Sequence, residues 1–573
     1  MKKRITYIIA SIVGVLYGLA LLLLSRHLIF NLSGLFGLIN RFAQIGDGDY
    51  IAQILSQLKN AQLASPWVAV LLIGWAAGAA FYFLIRRRKR KALISCCVWI
   101  PLLLPLTVAV MCFTAINGIR PAALVLDAPE TPAYQAETYA SEGDSWYFGF
   151  GSRQILPDES SDQPLYIAGY NSGWEITGVL DYCEARAVWL DTGEEGVLLI
   201  GVDCVALDSG SVAQIRENLS DIPNCVSINV YSTHTHAGID TLGLWGPTAI
   251  NGKNDAYMES LIRAATEAAR DAVASRTAGT LYFGQAETQD MYRDSRDPQV
   301  FDANLYQLRF SADDGASGLR LFFYGAHAES LRGDNTLLSR DFPGMLCDNV
   351  TAATGDNTMF FPGAIGGLIM TKNFMEADFD AVTNLQITGD KLIAYALSIT
   401  EESEREIGPN LAWSRKKFVV PMDNTGFLLY KALGILNNQA VRADSATGYG
   451  VETELAVLML DDLALTLIPG EIFPELVYGG EYGDANSEND NPDPLCQIAA
   501  QYGAEKLLVV GLSNDEIGYI VSPSDFLVNE DLPYLERITD YKGEDHYEET
   551  NSIGPECAGL IADTFEAVMK ALR

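Results

Sequence analysis

The sequence predicts a mixed α/β domain, extracytoplasmic and preceded by three transmembrane helices. Two observations carry this. From Trp146 onward, short apolar runs of strand length alternate with longer stretches of helical periodicity, the pattern of layered α/β domains. Before that point lie three long apolar stretches without charge, Ile5–Ser25, Pro66–Ile85 and Ala92–Ile116. Each has the roughly 20 residues that a helix needs to cross a hydrocarbon core of about 30 Å.

The N-terminal region, 1–116, therefore reads as a membrane anchor, with spans over about 5–25, 66–85 and 92–116. The first span lacks a convincing small-residue cleavage site and is followed by two more, so it reads as retained rather than as a signal peptide. Lys2-Lys3-Arg4 and the run Arg86–Lys91 should both stay in the cytoplasm. An odd number of spans then puts the N-terminus inside and the chain after about residue 117 outside, giving a multi-pass protein of the cell membrane. Pro101 and Pro105 should kink the third span. The spans carry no Asp, Glu, Lys or Arg, which leaves a transporter or channel without an ion path.

Charge is partitioned in the same way. The chain holds 39 Lys+Arg against 73 Asp+Glu, net −34, yet its first 116 residues contain 12 of the basic residues and only two acids, Asp47 and Asp49. The remainder is strongly acidic and should repel nucleic acid, so no nucleic-acid partner is expected. Cys183, Cys204, Cys225, Cys347, Cys496 and Cys557 lie beyond the anchor in spacings typical of neither a disulfide knot nor a metal ribbon.

Residues 117–145, with Pro121, Pro129 and Pro132, read as a linker to a domain over 146–573. Within that domain Gly196–Val202, Val226–Tyr231, Leu305–Phe310, Leu319–Tyr324, Leu455–Leu460 and Leu507–Gly511 read as buried strands. Asn254 or Asp255 caps a helix reaching about Ser275, and further helices are expected near Phe342–Ala353, Asp380–Glu402 and Pro555–Leu572. In such domains, sites gather at loops beyond strand C-termini.

Histidine is scarce, five in the chain, which makes its placement informative. His234 and His236 stand in Thr233-His234-Thr235-His236-Ala237-Gly238, directly after one predicted strand, and His327 follows another in Tyr324-Gly325-Ala326-His327. In extended chain, alternate residues share a side, so the two rings of His-x-His can face one ion. Taken singly these histidines also suit ordinary loop or core positions. Glu471 in Ile468-Pro469-Gly470-Glu471 is either a ligand or a helix N-terminal charge. Tyr519 in Gly518-Tyr519-Ile520 is either a site residue or core. Asp341 suits a partner of a metal-bound histidine and a helix cap equally; His546 reads as a surface residue.

From about Trp146 to its end the chain resembles the catalytic domain of the neutral/alkaline, non-lysosomal ceramidases. The matching segments, in order, are Ile167-Ala168-Gly169-Tyr170, Gly178-Val179-Leu180-Asp181, Gly201-Val202-Asp203, Thr233–Gly238, Arg296-Asp297-Pro298, Ala326-His327, Ile468–Glu471, Asn514 with Gly518-Tyr519-Ile520, and His546-Tyr547-Glu548. The resemblance implies zinc held by His234, His327, Glu471 and Tyr519, with His236 and Arg296 lining the active site. It departs at one place. The family's nucleophilic Ser, in Gly-Asp-x-Ser-Pro, falls on Ile369 in Gly366-Gly367-Leu368-Ile369-Met370, and Ile cannot attack a carbonyl. The immunoglobulin-like C-terminal domain of longer members is also missing from this sequence.

The expected activity is zinc-dependent hydrolysis of an amide bond, or less readily an ester, in a lipid-like N-acyl substrate. Water activated at zinc replaces the missing Ser, His236 takes its proton, and Arg296 and Tyr519 stabilise the oxyanion. The alternative is a catalytically inactive ectodomain that binds zinc or senses a ligand.

Overall fold

The computed structural model describes residues 126, 128–157, 161–247, 250–294, 296, 299–367, 369–375, 380–480 and 486–573. The chain divides into two units, Met1–Ala123 and Leu124–Arg573. The three expected spans lie outside the described residues. No described helix is both long and apolar enough to cross a membrane.

Two large sheets form the second unit. Their strands are β1 (Glu137–Glu142), β2 (Trp146–Gln154), β3 (Glu184–Asp191), β4 (Gly196–Val202), β5 (Cys225–Ser232), β6 (Thr277–Glu287), β7 (Asn304–Ala312), β8 (Leu319–Tyr324), β9 (Asn357–Pro362), β10 (Arg405–Ile407), β11 (Asn410–Pro421), β12 (Gln439–Arg442), β13 (Tyr449–Leu460), β14 (Leu463–Leu467) and β15 (Lys506–Val510). The nine-stranded sheet runs β9-β8-β7-β6-β2-β3-β4-β5, with β10 paired to β6; the six-stranded sheet runs β1-β11-β13-β14-β15, with β12 paired to β13. The packed helices are α1 (Ser209–Asn218), α2 (Asp255–Ala274), α3 (Asp341–Thr354), α4 (Ala381–Ser398), α5 (Leu495–Gln501) and α6 (Cys557–Ala571).

The side-chain alternation of the strands explains how the layers stack. Successive strand residues point to opposite faces, and here both faces are apolar. In β4, Val197 and Leu199 face one core cluster while Leu198 and Ile200 face another. In β13, Ala456 and Leu458 join the cluster that β4's Val197 and Leu199 occupy, whereas Leu455 and Val457 pack with residues of α6 such as Ile561 and Phe565. The shared cluster thus lies between the two sheets. The outer faces are covered by α1 and α2 over β2, β3 and β4, by α3 on β9 and α4 on β6 and β7, and by α5 and α6 on the smaller sheet. The order is helix, sheet, sheet, helix.

Both sheets are mostly antiparallel, and three parallel pairs matter most: β4 with β5, β8 with β9, and β14 with β15. Parallel neighbours need a crossover connection. Here α1, α3 and the stretch containing α5 supply it. Their strands end flush, Val202 beside Ser232, Tyr324 beside Pro362 and Leu467 beside Val510. Three sets of loops therefore leave the sheets at their C-terminal ends.

Two expectations need correction. The stretch read as a linker contains β1, which pairs antiparallel with β11 from Glu137↔Arg415 to Glu142↔Asn410. Glu137-Thr-Tyr-Ala-Ser-Glu is a half-exposed edge strand, so it has no apolar run to signal it. The last turn of the helix expected to reach Glu402 is also absent: α4 stops at Ser398, and a 3-10 turn follows at Glu401–Ser403. The six cysteines beyond the anchor are all free thiols, and four of them, Cys183, Cys204, Cys347 and Cys557, are buried.

Candidate metal centre

The centre is built where the parallel strands end. Beyond β5 the chain continues as Thr233-His234-Thr235-His236, with His234 in the left-handed region at φ 64°. Strain of this kind in a non-glycine residue clusters at functional sites. An isolated parallel bridge joins Thr235 to Ala328, and the His236 amide donates to the Ala328 carbonyl at 3.0 Å. Because alternate residues share a face, this pairing sets His234 and His236 on the same side as His327 and Glu329. The loop that carries His327 is anchored in turn by the Asp341 carboxylate, which accepts from the Ser330 and Leu331 amides. Asp341 braces that loop and orients no histidine ring.

Glu471 and Tyr519 arrive from the other sheet, on two short parallel strands, Glu471–Ile472 and Tyr519–Ile520, in which Glu471 pairs with Tyr519. Asn514, itself left-handed at φ 66°, ties this side to the first. Its side chain accepts from the Val230 amide at 2.9 Å, and its own amide donates to the Val230 carbonyl at 2.7 Å.

The polar atoms converge closely. His234 Nε2 lies 3.0 Å from His236 Nε2 and 3.4 Å from Glu471 Oε2, and His327 Nε2 lies 3.0 Å from the same Glu471 oxygen. The ring nitrogens of His234, His236 and His327 all fall within 4.8 Å of one another. Backbone carbonyls fix the orientation of two rings: His234 Nδ1 donates to the Val205 carbonyl at 2.7 Å, and His327 Nδ1 donates to that of Ile369 at 2.8 Å. Their Nε2 atoms point inward, toward a buried carboxylate, and in the neutral rings these atoms carry lone pairs. Facing lone pairs repel unless a cation lies between them, and outward Nδ1–H bonds are the usual support of metal-bound imidazoles. The donor set therefore fits a divalent ion.

The electrostatics agree. Burial, then the neighbouring His234 and His327, push His236 well below its ordinary value, which keeps it neutral. Burial opposes the charge on Glu471, but His234 and His327 outweigh it and hold this carboxyl well below the usual range. Burial and then Glu471 push the Tyr519 hydroxyl up, and it lies 2.9 Å from the hydroxyl of Tyr547.

Of these groups His234, His236, Glu471, Tyr519 and Tyr547 line a cavity of about 580 Å³, and His327 lies behind them. Its walls are largely apolar, with Leu242, Trp245, Met422, Phe427 and Val451 among them, and its polar lining includes His234, His236, Glu329, Glu471, Tyr519 and Tyr547. An apolar pocket with a few convergent polar groups is the usual form of a small-molecule site.

Arg296 is not among the residues that line this cavity. Its guanidinium is buried against Asp525 at 2.6 Å, Glu548 at 3.2 Å and Glu549 at 3.2 Å, and so is committed to holding the segment that carries Tyr547. An arginine in sequence shows its charge but not its partners, which lie more than 200 positions away. His546, read as a surface residue, is buried in the same network, with Nδ1 2.8 Å from Glu549. Ile369 is 1 % exposed and packs with Phe322, Tyr324 and Phe360, so no nucleophile stands at this position.

Sequence reasoning missed Glu329. This carboxylate is 2 % exposed, accepts a hydrogen bond from the Tyr170 hydroxyl and stands 3.6 Å from His236 Nδ1. The signal was present in the second half of His327-Ala328-Glu329, which repeats the alternation of His234-Thr235-His236.

These features define a class: a mixed α/β domain of two stacked sheets with a His/Glu centre at the strand ends. Among solved structures, the neutral ceramidase from Pseudomonas aeruginosa shares this fold, with TM-score 0.57 over 75% of each chain at 14% identity. A ceramidase complexed with C2 matches similarly, with TM-score 0.56 over 75% of each chain at 15% identity. At such identities the likeness establishes a ceramidase-like fold. No family model matches the chain, nor does any curated protein.

Proposed function

We propose that this protein is a zinc-dependent hydrolase of amide bonds in lipid-like N-acyl substrates, tethered to the cell membrane with its catalytic domain outside. The observation that carries this reading is the meeting of three imidazoles and a buried carboxylate beside an apolar cavity, which two of the imidazoles and the carboxylate line. The ceramidase-like fold supports it. The membrane tether rests on the three apolar stretches of the N-terminal region.

In this reading His234, His327, Glu471 and Tyr519 hold the ion, and Tyr547 donates its hydroxyl hydrogen to Tyr519. When bound, zinc polarises the substrate carbonyl and brings the pKa of water down to about 7. His236, neutral by burial, takes a proton from the attacking water at Nε2 and passes it to the leaving nitrogen. Amide and water thus become a carboxylic acid and an amine. Arg296 acts at a distance, through Glu548 and Glu549, by fixing the segment on which Tyr547 stands. The acyl chain lies against Leu242, Trp245, Phe427 and Val451.

The test is metal content and turnover in the purified full-length protein. About one zinc per chain, lost in His234→Ala, together with release of fatty acid from a long-chain N-acyl amine, is the expected result. Bound zinc without turnover across a panel of N-acyl substrates would favour the second reading, an inactive zinc-binding or ligand-sensing domain. The buried Ile369 at the nucleophile position is the observation on that side.

A further inference from the structure

We infer that Glu329 is a positioning residue for His236: it holds the Nδ1–H of that ring and so turns the Nε2 lone pair toward the water that attacks the substrate. The inference rests on the hydrolase reading for its kinetic consequence, although the positioning itself does not.

Four observations lead to it. First, His236 Nδ1 is buried and makes no hydrogen bond among the described residues, unlike the Nδ1 atoms of His234 and His327, which each reach a backbone carbonyl. Second, Oε2 of Glu329, which also accepts from Tyr170, stands 3.6 Å from that nitrogen, a small side-chain rotation short of a hydrogen bond, while Oε1 makes no hydrogen bond and has Arg332 at 3.9 Å. A buried ring nitrogen without a partner therefore faces a carboxylate with acceptor capacity to spare. Third, the Thr235↔Ala328 bridge keeps them on one face, so the proximity is set by backbone pairing and not by chance contact. Fourth, the ring has little room to turn, because Gly169 and Tyr170 crowd it beside Glu329. A Cβ on Gly169, at φ 109°, would lie 2.6 Å from the His236 ring, and the Tyr170 ring packs edge-on at 5.2 Å.

The chemistry of the partner decides the tautomer. An ionised carboxylate can only accept, so a nitrogen beside it must carry the hydrogen. Placing the hydrogen on Nε2 instead would aim a second lone pair at Glu329. With the hydrogen on Nδ1, Nε2 faces the centre as an acceptor, which is the state a general base needs before it takes a proton. Tyr170 donates its hydroxyl hydrogen to Glu329 and keeps the carboxylate from swinging away. Hydrolysis without a serine makes this arrangement matter, because with Ile369 buried no side chain there shares the proton transfer.

Two readouts test this in the zinc-loaded full-length protein. The first is the tautomer of His236, read from nitrogen spectra of protein labelled at its five histidines, with His236→Gln supplying the assignment. The Nδ1–H form is expected in the unaltered protein, and its loss in Glu329→Leu. An Nε2–H form in the unaltered protein would overturn the inference whether or not any substrate is turned over. The second readout is kinetic, with a long-chain N-acyl aminocoumarin as probe. Glu329→Gln should lower kcat by about 10- to 100-fold, leave KM within about twofold and keep the zinc, with partial recovery in Glu329→Asp. Loss of zinc in parallel with activity, or unchanged kcat, would make Glu329 a structural residue only. If the unaltered protein shows the Nδ1–H form but turns over no N-acyl substrate, the hydrolase reading fails and the positioning stands.

Discussion

At the scale of single residues, the centre depends on how little room it leaves. Gly169→Ala should place a methyl group against the His236 ring in a left-handed backbone. The expected outcome is retained zinc, lost turnover and a destabilisation of about 1–3 kcal/mol, measurable by denaturant unfolding. Ile369→Ser, which puts a serine where the ceramidases that this sequence resembles carry their nucleophile, should not create one. The side chain is buried in the same apolar cluster as Phe322, Tyr324 and Phe360, so the change removes apolar contact and buries a hydroxyl, at a cost of about 2–5 kcal/mol. Labelling by an acylating or phosphonylating serine probe would contradict this. In the sequence, the scarcity of histidine and the placement after strands draw attention to His234, His236 and His327, whereas Glu471 and Tyr519 are singled out only by the resemblance to the ceramidases. The sequence could not assign the partners of Arg296 or the burial of His546, since Asp525, Glu548 and Glu549 reach Arg296 only through the fold.

Among the elements, those that announce themselves are the ones buried on both faces. Gly196–Val202 and Leu319–Tyr324 were legible to the residue, and β5 and β15 to within a residue or two, because their side chains are mainly apolar and mostly buried. Edge strand β1 and the amphipathic β11, with Arg415, Lys416 and Lys417 in its middle, gave no comparable signal. The Asn254 cap of α2 was legible for a different reason, the preference of Asn for that position. Its side chain accepts from the Tyr257 amide at 2.9 Å. Asn254→Ala should cost about 1 kcal/mol in thermal or denaturant unfolding while leaving the centre intact. Asn514→Ala should cost more and disturb zinc binding as well, because that side chain joins the end of β5 to the segment bearing Tyr519.

For the molecule as a whole, acidity is the dominant property, and buried acids, Asp515 among them, make its stability respond to pH. Burial, partly offset by the Ser209 and Glu516 amides, pushes Asp515 from 3.8 up to about 7. A carboxyl with a raised pKa holds its proton in the folded state after the unfolded chain has released it. Folding stability should therefore fall as pH rises from about 4 to about 7, and level off above. Asp515→Asn should flatten this part of the curve, making the variant relatively more stable at pH 8 than at pH 5. An unchanged slope would show that other acids dominate. Chelation of the ion should lower the melting temperature at all these pH values, since a ligand bound only to the native state stabilises it.

The donors come from distant stretches of one chain, and that distance has a consequence in time. Glu471 follows His327 by 144 residues, so at a synthesis rate of about 5–20 residues per second it leaves the ribosome roughly 7–30 s later. During that interval the growing chain carries imidazoles without their carboxylate, in a domain whose second sheet has yet to form. An ion held by both His327 and Glu471 can therefore be captured only after that interval, once both sheets have begun to form.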